Sequence, residues 1–255
     1  MEQNQNYEGW LDNIYKAALQ IASGTFIDVG ANLGQTISKV LSINANQDYL
    51  GFEPQILCCA QITQAIMHHN LENCRILPIG LSNKNAILEL LTRTGSSSVA
   101  SMIQGFRPDN FYDKKQLIYV AIGDEILKDL QLTAISCIKI DVEGGELEVM
   151  EGLKETLHKH APALVFEVLN HYLVVTQEEL DDSIKHYRDT RTRQMEDLIR
   201  SCDYKIFHII PNGTIREIDE IRPIVSNDLR ITNYIAIHKE LTEQFISTHK
   251  NLLDK

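Results

Sequence analysis

Thr25-Phe26-Ile27-Asp28-Val29-Gly30-Ala31-Asn32-Leu33-Gly34-Gln35-Thr36 is the stretch that decides how this 255-residue chain is read. An apolar run ends in an acid, two glycines follow four apart, and Thr36, Ile37, Val40 and Leu41 begin a helical pattern. That order predicts a buried strand, a tight turn and a helix start. In open α/β folds the ligand crevice lies here, outside the carboxyl end of the first strand.

The spacing narrows the ligand. A dinucleotide fingerprint reads G-x-G-x-x-G, but Asn32 stands where its middle glycine would be. No Lys-Ser or Lys-Thr pair follows either glycine, so a P-loop is absent. Acid-x-Gly-x-x-x-Gly suits a nucleoside with a zwitterionic tail, such as S-adenosyl-L-methionine (SAM). Asp28 would face the ammonium end, and the helix start near Gln35 and Thr36 the carboxylate, since free N–H groups and the helix dipole favour anions. A helix start with no ligand is the bland alternative.

Outward from this turn, Asp48-Tyr49-Leu50-Gly51-Phe52-Glu53-Pro54 reads as strand two, halted by Pro54. Glu53 lies 25 positions after Asp28, about where a second-strand acid grips a ribose diol. After a helix over 56–70, residues 74–82 read as strand three. Its end, with Leu81 and Ser82, is expected beside the adenine ring. Residues 87–92 extend it as a hairpin. The stretch 93–116 shows little periodicity and mixes aromatic with small polar residues, which suits a binding loop or disorder.

The second acid-tipped strand is Ala134-Ile135-Ser136-Cys137-Ile138-Lys139-Ile140-Asp141, followed by Val142-Glu143-Gly144-Gly145-Glu146-Leu147. In a doubly wound sheet it lies beside strand one, so Asp141, Glu143 and Glu146 would rim the crevice. Acids in a helix's first turn are also favoured by the dipole alone, which is enough to account for Glu146. Ala163 to Val168 is strand five, with Glu167, Asn170 and His171 near its end. Thr176 and Glu179 form a capping box. The helix it opens is polar over 188–194 and reads as one helix or two with a solvated middle. Residues 204–210 and 214–218 form a hairpin around Pro211-Asn212-Gly213, and 233–238 is a last, reversed strand that closes the sheet.

The chain carries 24 Lys and Arg against 35 Asp and Glu, a net charge of −11. That balance works against a nucleic-acid backbone. Five cysteines at 58, 59, 74, 137 and 202 show no C-x-x-C spacing, so a reduced, cytoplasmic chain is expected. No apolar run would span a bilayer. No linker or repeat interrupts the chain, which reads as one domain over 1–255: an N-terminal helix over 1–23, an α/β core over 24–240 and a C-terminal helix over 241–255.

Asp28-Val29-Gly30-Ala31-Asn32-Leu33-Gly34, Phe52-Glu53-Pro54, Ile138-Lys139-Ile140-Asp141-Val142-Glu143-Gly144-Gly145-Glu146 and Val165-Phe166-Glu167 together resemble the FkbM family of SAM-dependent methyltransferases. The likeness covers roughly 24–168. It implies a class I, Rossmann-like α/β fold: a seven-stranded, mostly parallel sheet with an antiparallel last strand, flanked by helices. It also implies methyl transfer to an acceptor oxygen, often a hydroxyl of a sugar or natural product. By position, Asp28, Gly30, Asn32, Gly34 and Thr36 would line the methionine end. Glu53 and Pro54 would lie at the ribose, Leu81 and Ser82 at the adenine, and Asp141 and Glu143 at the reacting centre. Two places depart from the family: Gly145, where alanine is common, and Ile122-Gly123-Asp124, which replaces Thr-Leu-Asp.

Asp141 or Glu143 is the expected base, with His171 behind them. No metal is expected: Asp141, Glu167 and Asn170 could offer oxygens to Mg²⁺, but nothing in the spacing demands it. The partner would be a small-molecule or glycan acceptor, with no nucleic acid and no membrane; a homodimer is allowed. Two other classes stay open. One is a nicotinamide-dependent oxidoreductase on a related fold, and the other is a non-catalytic SAM-binding or scaffold subunit.

Overall fold

The structure, a computed structural model, describes residues 8–93, 96–103, 112–169, 182–224 and 228–254. The chain enters through helix α1 (Asp12–Ile21) and builds its first crossovers as β1 (Thr25–Val29), α2 (Gln35–Ile43), β2 (Tyr49–Phe52), α3 (Ile56–His68) and β3 (Cys74–Leu77). An excursion follows: β4 (Gly80–Ser82), β5 (Ala86–Arg93), β6 (Ser96–Ser101) and β7 (Lys114–Ile122). Then come α4 (Gly123–Asp129), β8 (Ile135–Ile140), α5 (Glu146–Gly152), α6 (Lys154–His160), β9 (Ala163–Glu167) and α7 (Asp182–Ser201). The chain finishes as β10 (Tyr204–Ile209), β11 (Ile215–Ile218), β12 (Asn233–His238) and α8 (Lys239–Thr248).

The main sheet has the order β11-β10-β12-β9-β8-β1-β2-β3. β1 is flanked in parallel by β2 and β8, and every residue of β1 and β8 is buried. That is why these strands read as unbroken apolar runs, for a parallel strand is covered on both faces. One face of the sheet holds Phe26, Cys137 and Ile235 under α1, α2 and α8. The other holds Ile27, Ile138 and Leu164 under α5, α6 and α7. Period two along β1 and β8 therefore puts Asp28 and Lys139 on the α1 face.

Three details differ from the sequence-based expectation. The sheet has eight strands, because β11 adds to its edge through the hairpin with β10. The reversed strand β12 does not close the sheet; it inserts between β9 and β10, antiparallel to both. Burial explains the exchange: Tyr234, Ile235, Ala236 and Ile237 are fully enclosed, whereas Arg216 and Glu217 of β11 suit a solvated edge. Strand three also breaks at Pro78. A proline cannot donate to the ladder, and the chain leaves the main sheet for a separate four-stranded one, ordered β4-β7-β5-β6. The stretch read as loop thus supplies β6 and the start of β7, while 104–111 lie outside the described residues.

Helix α7 is continuous through 188–194, and this middle is solvated on one side only: Thr190, Arg193 and Gln194 are exposed. Arg188 is 1% exposed and Thr192 is buried. Arg191 forks onto the Glu148 carboxylate of α5 and donates to the Gly144 carbonyl at 2.9 Å. Long polar side chains here fasten α7 to the sheet layer rather than face water. The capping box at Thr176 and Glu179 lies outside the described residues.

Candidate functional site

The turn after β1 is shaped by backbone geometry. Gly30, Asn32 and Gly34 all have positive φ, at 86°, 48° and 82°. A Cβ on Gly30 would stand 1.9 Å from the Asp141 carbonyl oxygen, so the turn can press against the end of β8 only if glycine is there. The N–H groups of Gly30 and Ala31 both donate to the Phe52 carbonyl, at 2.9 and 3.1 Å. Gly34 then serves as the N-cap of α2, and Thr36 is buried in its first turn.

Glu53, 3% exposed, caps the end of β2. Its carboxylate accepts from the N–H of Asn32 and of Gln55, each at 2.8 Å. Burial raises its pKa, and the two N–H groups partly offset that. Pro54 follows and lies beside β4, close to Gly80. Leu81 and Ser82 of β4 are buried, Leu81 within the same core cluster as Phe52. Their side chains are therefore packed inward, and only the backbone of this segment could meet a ring.

Asp28 occupies a different position from the one expected. It is fully buried on the α1 face, already engaged. One oxygen accepts from the Tyr49 hydroxyl at 2.5 Å; the other has no hydrogen bond and stands 3.5 Å from the Lys139 ammonium. Lys139 is 3.1 Å from Asp141 as well. Burial alone would lower the Lys139 pKa, but Asp141 and Asp28 more than compensate and hold it well above the usual lysine range. Burial and Asp28 together push the Tyr49 hydroxyl far up. Glu8, from the turn before α1, adds a third carboxylate near this cluster; burial raises it to about 6. Lys139, Tyr49 and Glu8 were missed from sequence. A lysine inside Ile138-Lys139-Ile140 was the available signal, since a lysine is almost never fully buried unless paired.

At the tip of β8 a second group converges. One oxygen each from Asp141, Glu143 and Glu167 lies within 4.8 Å of the others. Carboxylates so close repel unless a proton or cation lies among them. Burial, then Asp141 and Glu143, hold the Glu167 pKa well above the carboxylate range, with the Thr232 hydroxyl donating to it at 2.7 Å. A divalent ion could take the place of the shared proton. Asn170 and His171 lie outside the described residues. Glu146 braces the turn after β8. It is buried and accepts from the N–H of Val142 and Gly144, both at 3.1 Å, which ties down the turn; burial raises it to about 7. Asp124 likewise serves structure, accepting from the N–H of Glu155 and Thr156 and from the Thr156 hydroxyl at the start of α6.

A small hollow of about 20 Å³, room for about one water molecule, lies between the turn after β8 and helix α7, bordered by Glu146, Val168, Arg188, Arg191 and Met195. All five cysteines are free and buried. Among the described residues, no helix is long and apolar enough to cross a membrane.

The residues around the first turn fit an adenosyl ligand with an amino-acid tail. Asn32 Oδ1 is a buried acceptor without a hydrogen bond, and an unmet buried acceptor favours a donor-bearing ligand. Positive-φ glycines let the backbone come close, and the first N–H groups of α2 open onto the same turn.

Residues 28–206 match the Methyltransferase FkbM domain. No curated protein matches the sequence closely enough to count as a relative. Among solved structures, the methyltransferase FkbM of Methylobacillus flagellatus KT is similar at 16% identity and a TM-score of 0.51. That match covers 84% of this chain but 43% of the Methylobacillus one, so this chain spans less than half of that protein's length. A Staphylococcus aureus protein provisionally assigned as a caffeoyl-CoA O-methyltransferase is 12% identical with a TM-score of 0.50, over 91% of this chain and 84% of that one. At these identities the structures speak for the shared fold. The domain match, which starts at the acid of the first turn and runs through both acid-tipped strands, speaks for the lineage and its cofactor, SAM: the chain belongs to the FkbM family of methyltransferases.

Proposed function

We propose that this protein is an O-methyltransferase that moves the methyl group of SAM to a hydroxyl of a small molecule, sugar or other natural product. The observation that carries this reading is the union of the two acid-tipped strands. β1 and β8 pair in register, Asp141 donates its N–H to the Val29 carbonyl, and three carboxylates converge beside that seam.

Bound SAM supplies an electrophilic methyl on sulfur. What the chain contributes is placement and proton handling. Gly30, Asn32, Gly34 and Thr36 would hold the methionine end, with the first N–H groups of α2 on its carboxylate. Glu53 has lone pairs left for a ribose diol. Pro54 and the backbone at Leu81 and Ser82 would flank the adenine. Holding donor and acceptor in line contributes up to about 7–11 kcal/mol. A hydroxyl attacks poorly while it keeps its proton, and a carboxylate within reach adds roughly 10²–10⁴-fold. Glu143 would accept that proton, with Glu167 beside it. Five unbridged cysteines support a reducing, cytoplasmic setting.

The test is a melting-temperature series with SAM, S-adenosylhomocysteine and NAD, followed by methyl transfer to a panel of glycosides and phenols. A ligand that binds only the folded state raises the melting point. Stabilisation by the two adenosyl ligands and methyl ethers as products are expected. Stabilisation by NAD alone overturns the reading. Methylation of nitrogen or carbon acceptors in place of hydroxyls overturns the oxygen assignment.

A further inference from the structure

Lys139 has no counterpart in the roles above, although its ammonium is among the most enclosed charges in the molecule. It stands directly opposite Asp28 in the β1–β8 register. Period two puts Lys139 and Asp141 on the same face of β8. Its side chain is 7% exposed, that of Asp28 is 0% exposed, and that of Asp141 is 31% exposed. So one ammonium bridges a sealed carboxylate and one that still reaches the crevice, at 3.5 and 3.1 Å.

We propose that Lys139 is a positioning residue for the cofactor's amino-acid tail, tying Asp28 and Asp141 together across the β1–β8 seam and aiming the Asp141 carboxylate at the tail's ammonium group. The proposal rests on the SAM-dependent reading above. Asp28 is spent on Tyr49 and Lys139, so it cannot itself meet the ligand. Asp141 is next in line: it sits one residue past β8, against the backbone of Gly30. An aspartate so placed has several rotamers. A fixed ammonium at one oxygen selects among them and leaves the other oxygen for the ligand. The balance of charge agrees. Glu8, Asp28 and Asp141 face Lys139 from three elements, while Lys39 of α2 is engaged by Asp12 at 2.7 Å. The cluster keeps a negative excess that suits a ligand cation. Lys139 touches no reacting atom; it acts through Asp141.

The experiment compares two ligands that differ in the tail alone. Calorimetric affinities for S-adenosylhomocysteine and for 5′-methylthioadenosine, which lacks the amino acid, are measured on the native protein, Lys139→Met, Lys139→Arg and Asp141→Asn. Lys139→Met is expected to weaken S-adenosylhomocysteine by tenfold or more while methylthioadenosine stays within twofold. Lys139→Arg recovers most of the loss. Asp141→Asn, at a part-exposed position, reproduces the tail-selective loss and decides the matter if Lys139→Met fails to fold. Equal weakening of both ligands, or of neither, means that Lys139 only stabilises the fold and overturns the proposal. Native protein that binds neither ligand overturns the cofactor reading itself, and the proposal with it.

Discussion

The Glu53 carboxylate accepts the backbone N–H of Asn32 at 2.8 Å, across 21 residues of sequence. The bond joins the acid of the second strand to the glycine turn of the first, so the proposed ribose and methionine ends of the crevice are tied together. Its second oxygen fixes Gln55 and the start of α3. Glu53→Gln leaves one acceptor where there were two, so one buried N–H loses its partner at about 1–3 kcal/mol. In a chain of this size that is roughly 2–4 °C of melting temperature per kcal/mol. SAM affinity should fall at least tenfold, read by calorimetry. A variant that binds SAM like the native protein would remove Glu53 from the site.

Glycine 30 and glycine 145 make opposite predictions. At Gly30 a methyl group meets the Asp141 carbonyl at 1.9 Å on a backbone with φ of 86°. Gly30→Ala should cost more than about 3 kcal/mol, or open the β1–β8 seam and abolish SAM binding. At Gly145 the nearest contact is an ordinary 3.4 Å and φ is −95°. Gly145→Ala should be neutral or add about 0.4–1 kcal/mol by restricting the unfolded chain. Urea midpoints for the two variants check this, and equal losses in both would contradict it.

Glu146 makes stability depend on pH. Burial raises its pKa from 4.5 to about 7 in the folded state. The folded chain therefore holds this proton more tightly than the unfolded one. The contribution is complete below about pH 4.5 and is lost as pH rises through about 7. Its size is on the order of 3 kcal/mol. Glu146→Gln keeps an acceptor oxygen and never ionises, so it should match the native protein near pH 4.5 and exceed it at pH 8. Denaturant midpoints at both values decide; a native protein that gains stability over this window relative to the variant has the sign reversed.

Tyr49 gives the sealed Asp28 its one hydrogen bond. Tyr49→Phe preserves the ring, which stacks on Phe26 at 6.0 Å between centroids, and removes only the donor. Hydrogen bonds to charged groups contribute about 1.5–3 kcal/mol, so equilibrium unfolding should show a loss of that order. No loss would mean that Lys139 alone satisfies Asp28.

Local pattern revealed part of this site. Gly30, Gly34 and Glu53 stand at strand ends and turns, where residue type and spacing report directly on backbone shape. Asp28 shows the limit: its identity and its place at the end of β1 were legible, but the direction of its side chain was not. That direction follows from period two and from which helices cover which face. The same holds for Glu146, which looks like a site acid in sequence and ties down a turn in the fold. Arg188 and Thr192 read as a solvated stretch because helical polarity does not say what stands opposite.

The sequence by itself determined the alternation of strands and helices, the two acid-tipped strands and the family, because apolar runs, glycine turns and their spacing are written locally. Only the tertiary structure decided that β12 lies inside the sheet, that Lys139 bridges Asp28 and Asp141, and that Asp141, Glu143 and Glu167 meet. Those facts depend on strand order and register, which bring together residues as far apart as Asp28 and Lys139, and no local preference encodes them.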